Sequence, residues 1–475
     1  MRRFELVLVF VAAFAVYWPV VFGVRPRRGI VALVVSAALI IQLQFEGFRW
    51  QMIPVYLAAV GLAGGDVFYL DRQFDWTGRI ARGLLGAVGL VLVLALPLAL
   101  PVPELPIPGG PESIGTFTVQ LTDSERDETY DNNRIGSREF MVQVWYPAQS
   151  TDPGAPVPWH ENWEVVAPAV SMEMGLPSWF LDHTRFTRSH ATEAPPIASG
   201  TFPVIIYSHG WSGVRTDTLN QIEHLASHGY IVIAPDHSYI AAATVLEDGE
   251  VVPQNPDVLP DPEEDEADEE DEEVDEEAYQ EAATQLVATQ AADLVTILDG
   301  LEAGETGPFA EVVQNADLNR IGIYGHSTGG GAAIKVCLED DRCGAVLAMD
   351  PSVTPLTHED LQLTMTKPAL YLRSEEWRGS PDDALVSGIA ARGQEVTYSV
   401  GVEGATTNDF VMIPFLTPLG DQFGWKGPIS AGRVTTIVDN YLLGFFDVFL
   451  LGTGPAQLDS VDFEEVEVSV FDPRQ

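Results

Sequence analysis

The stretch Arg320–Ala333, RIGIYGHSTGGGAA, constrains this chain more than any other. Its apolar run Ile321–Tyr324 stops at Gly325-His326-Ser327-Thr328-Gly329, and a small-residue segment of helical character follows at once. A serine bracketed in this way, G-x-S-x-G, sits on a sharp turn between a strand and a helix. The turn is crowded by neighbouring backbone, so a side chain at either glycine would clash. The bare pattern arises by chance in many chains. Here the strand and the helix that the pattern requires flank it on the correct sides, which makes Ser327 the candidate nucleophile.

The segments around this turn alternate between strand and helix. Phe202–Tyr207 reads as a buried strand that ends in Ser208-His209-Gly210-Trp211-Ser212-Gly213. Thr216–His228 carries Leu219, Ile222 and Leu225 at helical spacing, and Tyr230–Ala234 is the next strand. Tyr279–Leu301 repeats Leu286, Ala291, Leu294 and Ile297 as a helix would. Strands follow at Ala345–Met349, Ala369–Leu372 and Val396–Val402, with helices at Asp382–Ala391 and Arg433–Leu451. Earlier, Arg138–Pro147 alternates as a strand, and Pro153–Ser199 shows no period. Such alternation predicts an α/β fold: a mostly parallel sheet with helices on both faces, its ligand site beyond the C-terminal ends of the strands. One block breaks the rhythm. Asp261–Glu277 holds 14 acidic residues in 17, a density that repels itself and reads as a solvated insertion; it lacks the glycine and spaced ligands of a calcium loop.

The N-terminal hundred residues are of another kind. Four apolar stretches, Leu6–Val24, Gly29–Leu43, Met52–Leu70 and Gly83–Val102, carry among them a single charge, Asp66. The fourth approaches the ~20 residues a bilayer span needs; the second is short and Pro54 interrupts the third, so three or four spans fit. No small-residue cleavage site follows the first stretch, which reads as a retained helix and not a signal peptide. With four spans, Arg25, Arg27, Arg28, Arg72, Arg79 and Arg82 fall on one side and Arg2, Arg3 and Arg49 on the other, which puts the C-terminal domain outside the cytoplasm. A Pro/Gly-rich linker, Pro101–Pro111, separates the two parts.

The formal charge of −44, with 69 acidic against 25 basic residues, excludes nucleic-acid binding through a basic surface. Three lysines, Lys335, Lys367 and Lys426, stand against 22 arginines. An acidic, lysine-poor surface suits high salt, and a halophilic source is one expectation from it.

A serine hydroxyl needs a base to take its proton and donors for the developing oxyanion. The backbone amides of Thr328, after the nucleophile, and of Trp211, in the turn after an earlier strand, are the candidate oxyanion donors. The acid should leave a strand end downstream of the serine. Asp350, in AVLAMDPSV, does so; Glu375 and Glu376 after the next strand are the alternatives. The segments REFMVQVWYPA, FPVIIYSHGWSG, IGIYGHSTGGGAA, AMDPSVTPL and GATTNDF together resemble the α/β-hydrolases related to platelet-activating-factor acetylhydrolase and, more distantly, cutinase-like polyester hydrolases. The resemblance runs from about Gly115 to Leu451. It implies an α/β-hydrolase fold, ester hydrolysis that includes short or oxidised acyl chains on phospholipids, no cofactor and no metal, and an acid at Asp350.

The chain departs from that family at one point. The segment Gly404–Phe410 is where the family places its histidine, and Thr407 occupies the position. The last histidine anywhere in the chain is His358. A threonine has no basic nitrogen and cannot take the serine proton at neutral pH. Either the domain has lost turnover and retains a ligand cleft, or a substitution sits in an otherwise working scaffold, or another histidine substitutes. His358, eight residues after Asp350, is the sequence candidate for that role, with His237 and His326 read as structural. Cys337 and Cys343 flank LEDDR in a turn and are disulfide candidates, as suits an oxidising location.

The reading is therefore a transmembrane helical module over 1–103 and a linker over 104–114. An α/β-hydrolase domain follows over 115–455, with an acidic insertion at 257–277, and an acidic tail over 456–475. Its expected partners are the lipid bilayer and a small ester or phospholipid substrate.

Overall fold

The computed structural model describes residues 1–24, 26–68, 76–131, 136–149, 154–260, 276–454, 458 and 463–474. They form two compact units. One is Met1–Pro103 with two short segments from later in the chain, Asp182–Thr187 and Leu416–Leu419; the other is the remainder. Most of the acidic block, residues 261–275, lies outside the described residues.

In the first unit all four apolar stretches are helical: α1 (Arg3–Phe22), α2 (Ile30–Glu46), α3 (Ile53–Phe68) and α4 (Trp76–Ala99). The fourth starts at Trp76 and not at Gly83, and the third is helical through Pro54, which sits in its first turn where no backbone donor is needed. By length and composition α1 and α4 can cross a membrane, while α2 and α3 span 17 and 16 residues. The helices are apolar around their whole circumference. Leu8, Val35, Met52, Val55 and Ala59 pack between them, while Phe10, Leu33 and Leu85 are largely exposed. Asp66, the charge within the third stretch, accepts from the Gly29 and Ala32 amides and so caps α2. Arg49 and Glu5, both fully buried, pair through two hydrogen bonds of 2.7 and 3.0 Å.

The second unit is built on an eleven-stranded sheet. Its central strands are β5 (Phe202–Ser208), β6 (Ile231–Asp236), β9 (Ala316–His326), β10 (Ala345–Met349), β11 (Ala369–Ser374) and β12 (Thr397–Val402), all parallel in the order β12-β11-β10-β9-β5-β6. Every expected strand and helix of this region forms within a few residues of its expected ends. The chain fills the sheet from β5 outward to β6 on one side, then returns to β9 on the other. The order therefore reverses between β5 and β9, and a crevice opens at their C-terminal ends. Helices α6 (Leu219–Ser227), α7 (Glu276–Glu302), α8 (Thr328–Glu339), α9 (Pro381–Arg392) and α10 (Ala431–Leu451) connect these strands or follow them. Helix α10 is long and apolar enough to resemble a span, but half of it is buried within this unit, where Val434, Ile437, Tyr441, Leu442 and Phe445 join the core.

The outer parts of the sheet differ from expectation. Ser113–Asp127 (β1) and Ser137–Ala148 (β2) form a long antiparallel pair, with β2 antiparallel to β6. The aperiodic region Pro153–Ser199 contains β3 (Pro156–Pro158), a helix α5 (Trp163–Glu173) and β4 (Arg188–Glu193). A small hairpin, β7 (Ala243–Val245) with β8 (Val251–Pro253), lies apart from the main sheet. The expected C-terminal tail is not wholly a tail, because Val466–Phe471 (β13) pairs antiparallel with β12 and closes that edge. The linker is likewise shorter than 104–114, since β1 starts at Ser113.

Candidate active site

Ser327 stands at the reversal in strand order, between the end of β9 and the start of α8. Its backbone is left-handed, φ 52° and ψ −123°, a conformation costly for a residue with a Cβ and held here by its surroundings. The Ser327 amide donates to the Met349 carbonyl at 3.0 Å, and its own carbonyl accepts from Ser352 and Gly331. The flanking glycines are dictated by contact. A Cβ on Gly325 would lie 2.3 Å from the Gly329 carbonyl oxygen, and one on Gly329 would lie 2.3 Å from that of Ser208.

The turn after β5 presses against this elbow. A Cβ on Gly210 would fall 3.1 Å from the Ser327 Cβ and 3.6 Å from His326 Nδ1. Among the described residues the amides of Trp211 and Thr328 donate to no protein acceptor, as a pair of oxyanion donors would require. The turn is held from beneath by buried polar groups. His209 Nε2 accepts from the His237 amide at 3.0 Å, so its proton is on Nδ1, which donates to the Gly210 carbonyl at 2.7 Å. Burial, then the neighbouring His237, push the His209 pKa down to about 3, so the ring stays neutral. His237 in turn bridges Ser208 Oγ, at 3.0 Å, and Asp293 Oδ2, at 2.9 Å. Burial would raise the Asp293 carboxyl, but the Arg138 guanidinium, with two bonds of 2.8 and 3.1 Å, holds it well below the carboxylate range. This Ser208–His237–Asp293 series has the order of a catalytic triad, yet all three side chains are fully buried, and it ties the end of β5 to α7.

Asp350 follows β10, also in a left-handed conformation at φ 43°. Its Oδ1 accepts from the Ser374 amide at 2.7 Å, while Oδ2 is buried without a hydrogen bond. Burial raises its pKa to about 7, offset in part by Ser374 and, more weakly, by the nearby Thr407 hydroxyl, which stops short of a hydrogen bond. The alternatives are otherwise engaged or remote: Glu375 is exposed and accepts from the Gly404 amide, and Glu376 is exposed. Thr407 therefore lies next to Asp350. It opens a short helical turn, Thr407–Phe410, whose capping residue Thr406 bonds reciprocally with Asp409.

Among the described residues no hydrogen bond or ion pair brings His358 to this place. Its exposed loop is anchored by Asp360, which pairs with Lys335 at 2.7 Å, and Lys335 lies seven residues beyond the first residue of α8, roughly 10 Å along it at the rise of an α-helix. His326 does reach it: its Nε2 is 3.0 Å from Thr407 Oγ1 and 3.1 Å from the Thr407 carbonyl oxygen. Cys337 and Cys343 are bonded across the turn after α8, their Cα atoms 5.2 Å apart.

The family model for platelet-activating factor acetylhydrolase, isoform II, matches residues 109–451. The chain belongs to that family. Relatives include the platelet-activating factor acetylhydrolases of Cavia porcellus, 24% identical over 72% of this chain and 78% of that one, and of Canis lupus familiaris, 24% identical over 72% and 77%. A solved ferulic acid esterase from Streptomyces cinnamoneus superposes with a TM-score of 0.60 at 26% identity, covering 77% of this chain and 99% of the esterase. The acetylhydrolase resemblance read from the five segments thus holds over the whole expected range, and the fold is that of an ester hydrolase.

Sequence reasoning passed over Arg138, Asp293 and Arg126, which the fold gathers behind the oxyanion turn; Arg126 reaches Asp293 at 2.7 Å. The one available signal was Asp293 itself, an acid beside Leu294 and Ile297 on the apolar face of a helix. It also read His326 as merely structural, because a residue inside a motif offers no clue to what lies beside its ring.

Proposed function

We propose that the protein is a membrane-anchored serine hydrolase that cleaves carboxylic esters, acyl esters of lipids among them, outside the cytoplasm. The observation that carries this reading is the strained elbow of Ser327 set against two unengaged amides at the reversal point of the sheet. Ser327 Oγ would attack the acyl carbon, and the Trp211 and Thr328 amides would hold the oxygen that gains charge. The lipid preference rests on the printed names of the relatives, and the anchoring on helices α1 and α4 with their exposed apolar side chains. The external location draws on the arginine distribution and on the Cys337–Cys343 pair.

A second reading has its own support. Thr407 at the triad position, with Asp350 Oδ2 unpartnered behind it, is what a domain that binds an ester without turnover would carry. Labelling of the full chain in detergent with a fluorophosphonate, beside turnover of a short-chain nitrophenyl ester, separates the two. Hydrolysis above the Ser327→Ala background supports the enzyme; neither labelling nor turnover supports binding alone. Thr407→His completes the comparison, with an expected rate gain of about 10²–10⁴ if the rest of the site is in working order.

A further inference from the structure

We propose that His326, the residue inside the nucleophile motif, serves as the general base in place of the missing histidine. The inference rests on reading Ser327 as the nucleophile. Two contacts fix the tautomer of the ring. The Thr407 carbonyl can only accept, so His326 Nε2 at 3.1 Å must carry the proton and donate, sharing it with Thr407 Oγ1 at 3.0 Å. Nδ1 is then the nitrogen with the free lone pair. It has no hydrogen-bond partner among the described residues and is not sealed from solvent.

That free nitrogen faces the right place. His326 Nδ1 and the Ser327 Cβ border the same gap, the one kept open by the missing side chain of Gly210. On this proposal the proton crosses that space directly or through one water. On its far side the ring is oriented by residue 407, with Asp350 behind. The usual order of acid, histidine and serine becomes acid, threonine, histidine and serine, and the imidazole has moved from residue 407 to residue 326. Burial lowers the ring pKa to about 4, with the Thr407 carbonyl pulling against it, so the ring is the free base at neutral pH. A base this weak implies a slower enzyme than one with a full triad.

The step balances within the site. As Ser327 Oγ bonds to the acyl carbon, its proton passes to His326 Nδ1, and the carbonyl electron pair moves onto the oxygen. Collapse of this adduct breaks the ester bond, and the departing alkoxide takes the proton from Nδ1. Water then repeats the sequence on the acyl-serine, releasing the acid.

The test crosses His326→Gln with Thr407→His in the full-length protein. Glutamine retains an N–H donor for the Thr407 carbonyl but has no basic nitrogen. If His326 is the base, His326→Gln lowers nitrophenyl ester turnover 100-fold or more in the parent. In the Thr407→His protein, where a second imidazole is available, the loss is smaller by at least tenfold. Equal losses in both backgrounds would mark His326 as structural and overturn the proposal. So would a parent whose turnover does not exceed Ser327→Ala. In that last case a gain in Thr407→His still upholds the hydrolase reading, so the two ideas fail separately. His326→Asn serves if the glutamine variant does not fold.

Discussion

The carboxyl of Asp350 is buried with one oxygen unpartnered, and Asp350→Asn exposes the consequence. Burial moves its pKa from 3.8 to about 7, and Oδ2 has no hydrogen bond. The folded state therefore holds the proton more tightly than the unfolded chain between these values. Stability contributed by this group is highest below pH 4, falls as pH rises, and reaches its full penalty above pH 7. At about 1.36 kcal/mol per pKa unit the full penalty is about 4 kcal/mol. The sequence pI of 4.2 makes work below pH 5 impractical. Between pH 5 and pH 8.5 the change amounts to about 3 kcal/mol. Asparagine retains an oxygen for the Ser374 amide and cannot ionise, so the variant should gain that amount over the parent as pH rises across this window. Chemical unfolding of both proteins at the two pH values, followed by tryptophan fluorescence, measures the difference, and any pH-independent cost of the substitution cancels. A difference under about 0.5 kcal/mol would show that the Asp350 carboxyl is not desolvated, and the geometry argued for the acid would be wrong.

Other substitutions probe the rest of the site. Gly329→Ala places a Cβ against the Ser208 carbonyl, 2.3 Å away, where only backbone movement can relieve it; fluorophosphonate labelling of Ser327 should fall by at least tenfold, and an unchanged rate would refute the close packing of turn and elbow. Arg138→Ala strips Asp293 of its principal partner and leaves a buried charge, at a cost of about 3–5 kcal/mol in a denaturation experiment; a loss below about 1 kcal/mol would mean that Arg126 and His237 suffice. Cys337→Ser with Cys343→Ser should lower stability by about 2 kcal/mol under oxidising conditions and leave no difference from the parent under reducing ones.

Much of this was legible in order of residues alone. The elbow announces itself because its glycines, the apolar strand and the small-residue helix are consecutive, and each is required by a local steric fact. The parallel strands are short, apolar and separated by helical periods, so their pattern is local too. The absence of histidine beyond His358 is a property no folding can alter. Other elements gave no such sign. Strand β1 mixes charge and polarity because most of its positions are half-buried or exposed, and β13 reads as tail because an edge strand draws its stability from its neighbour β12 and not from its own composition.

What the sequence by itself put forward is therefore a candidate nucleophile, Ser327, a candidate acid, Asp350, and a threonine at position 407. Only the tertiary structure decided what surrounds these residues. It set the His326 ring on Thr407, 81 residues away in the chain, and drew Arg138 to Asp293 across 155. Hydrogen bonds of that kind depend on where backbones cross in space, and no periodicity along a chain encodes such a crossing.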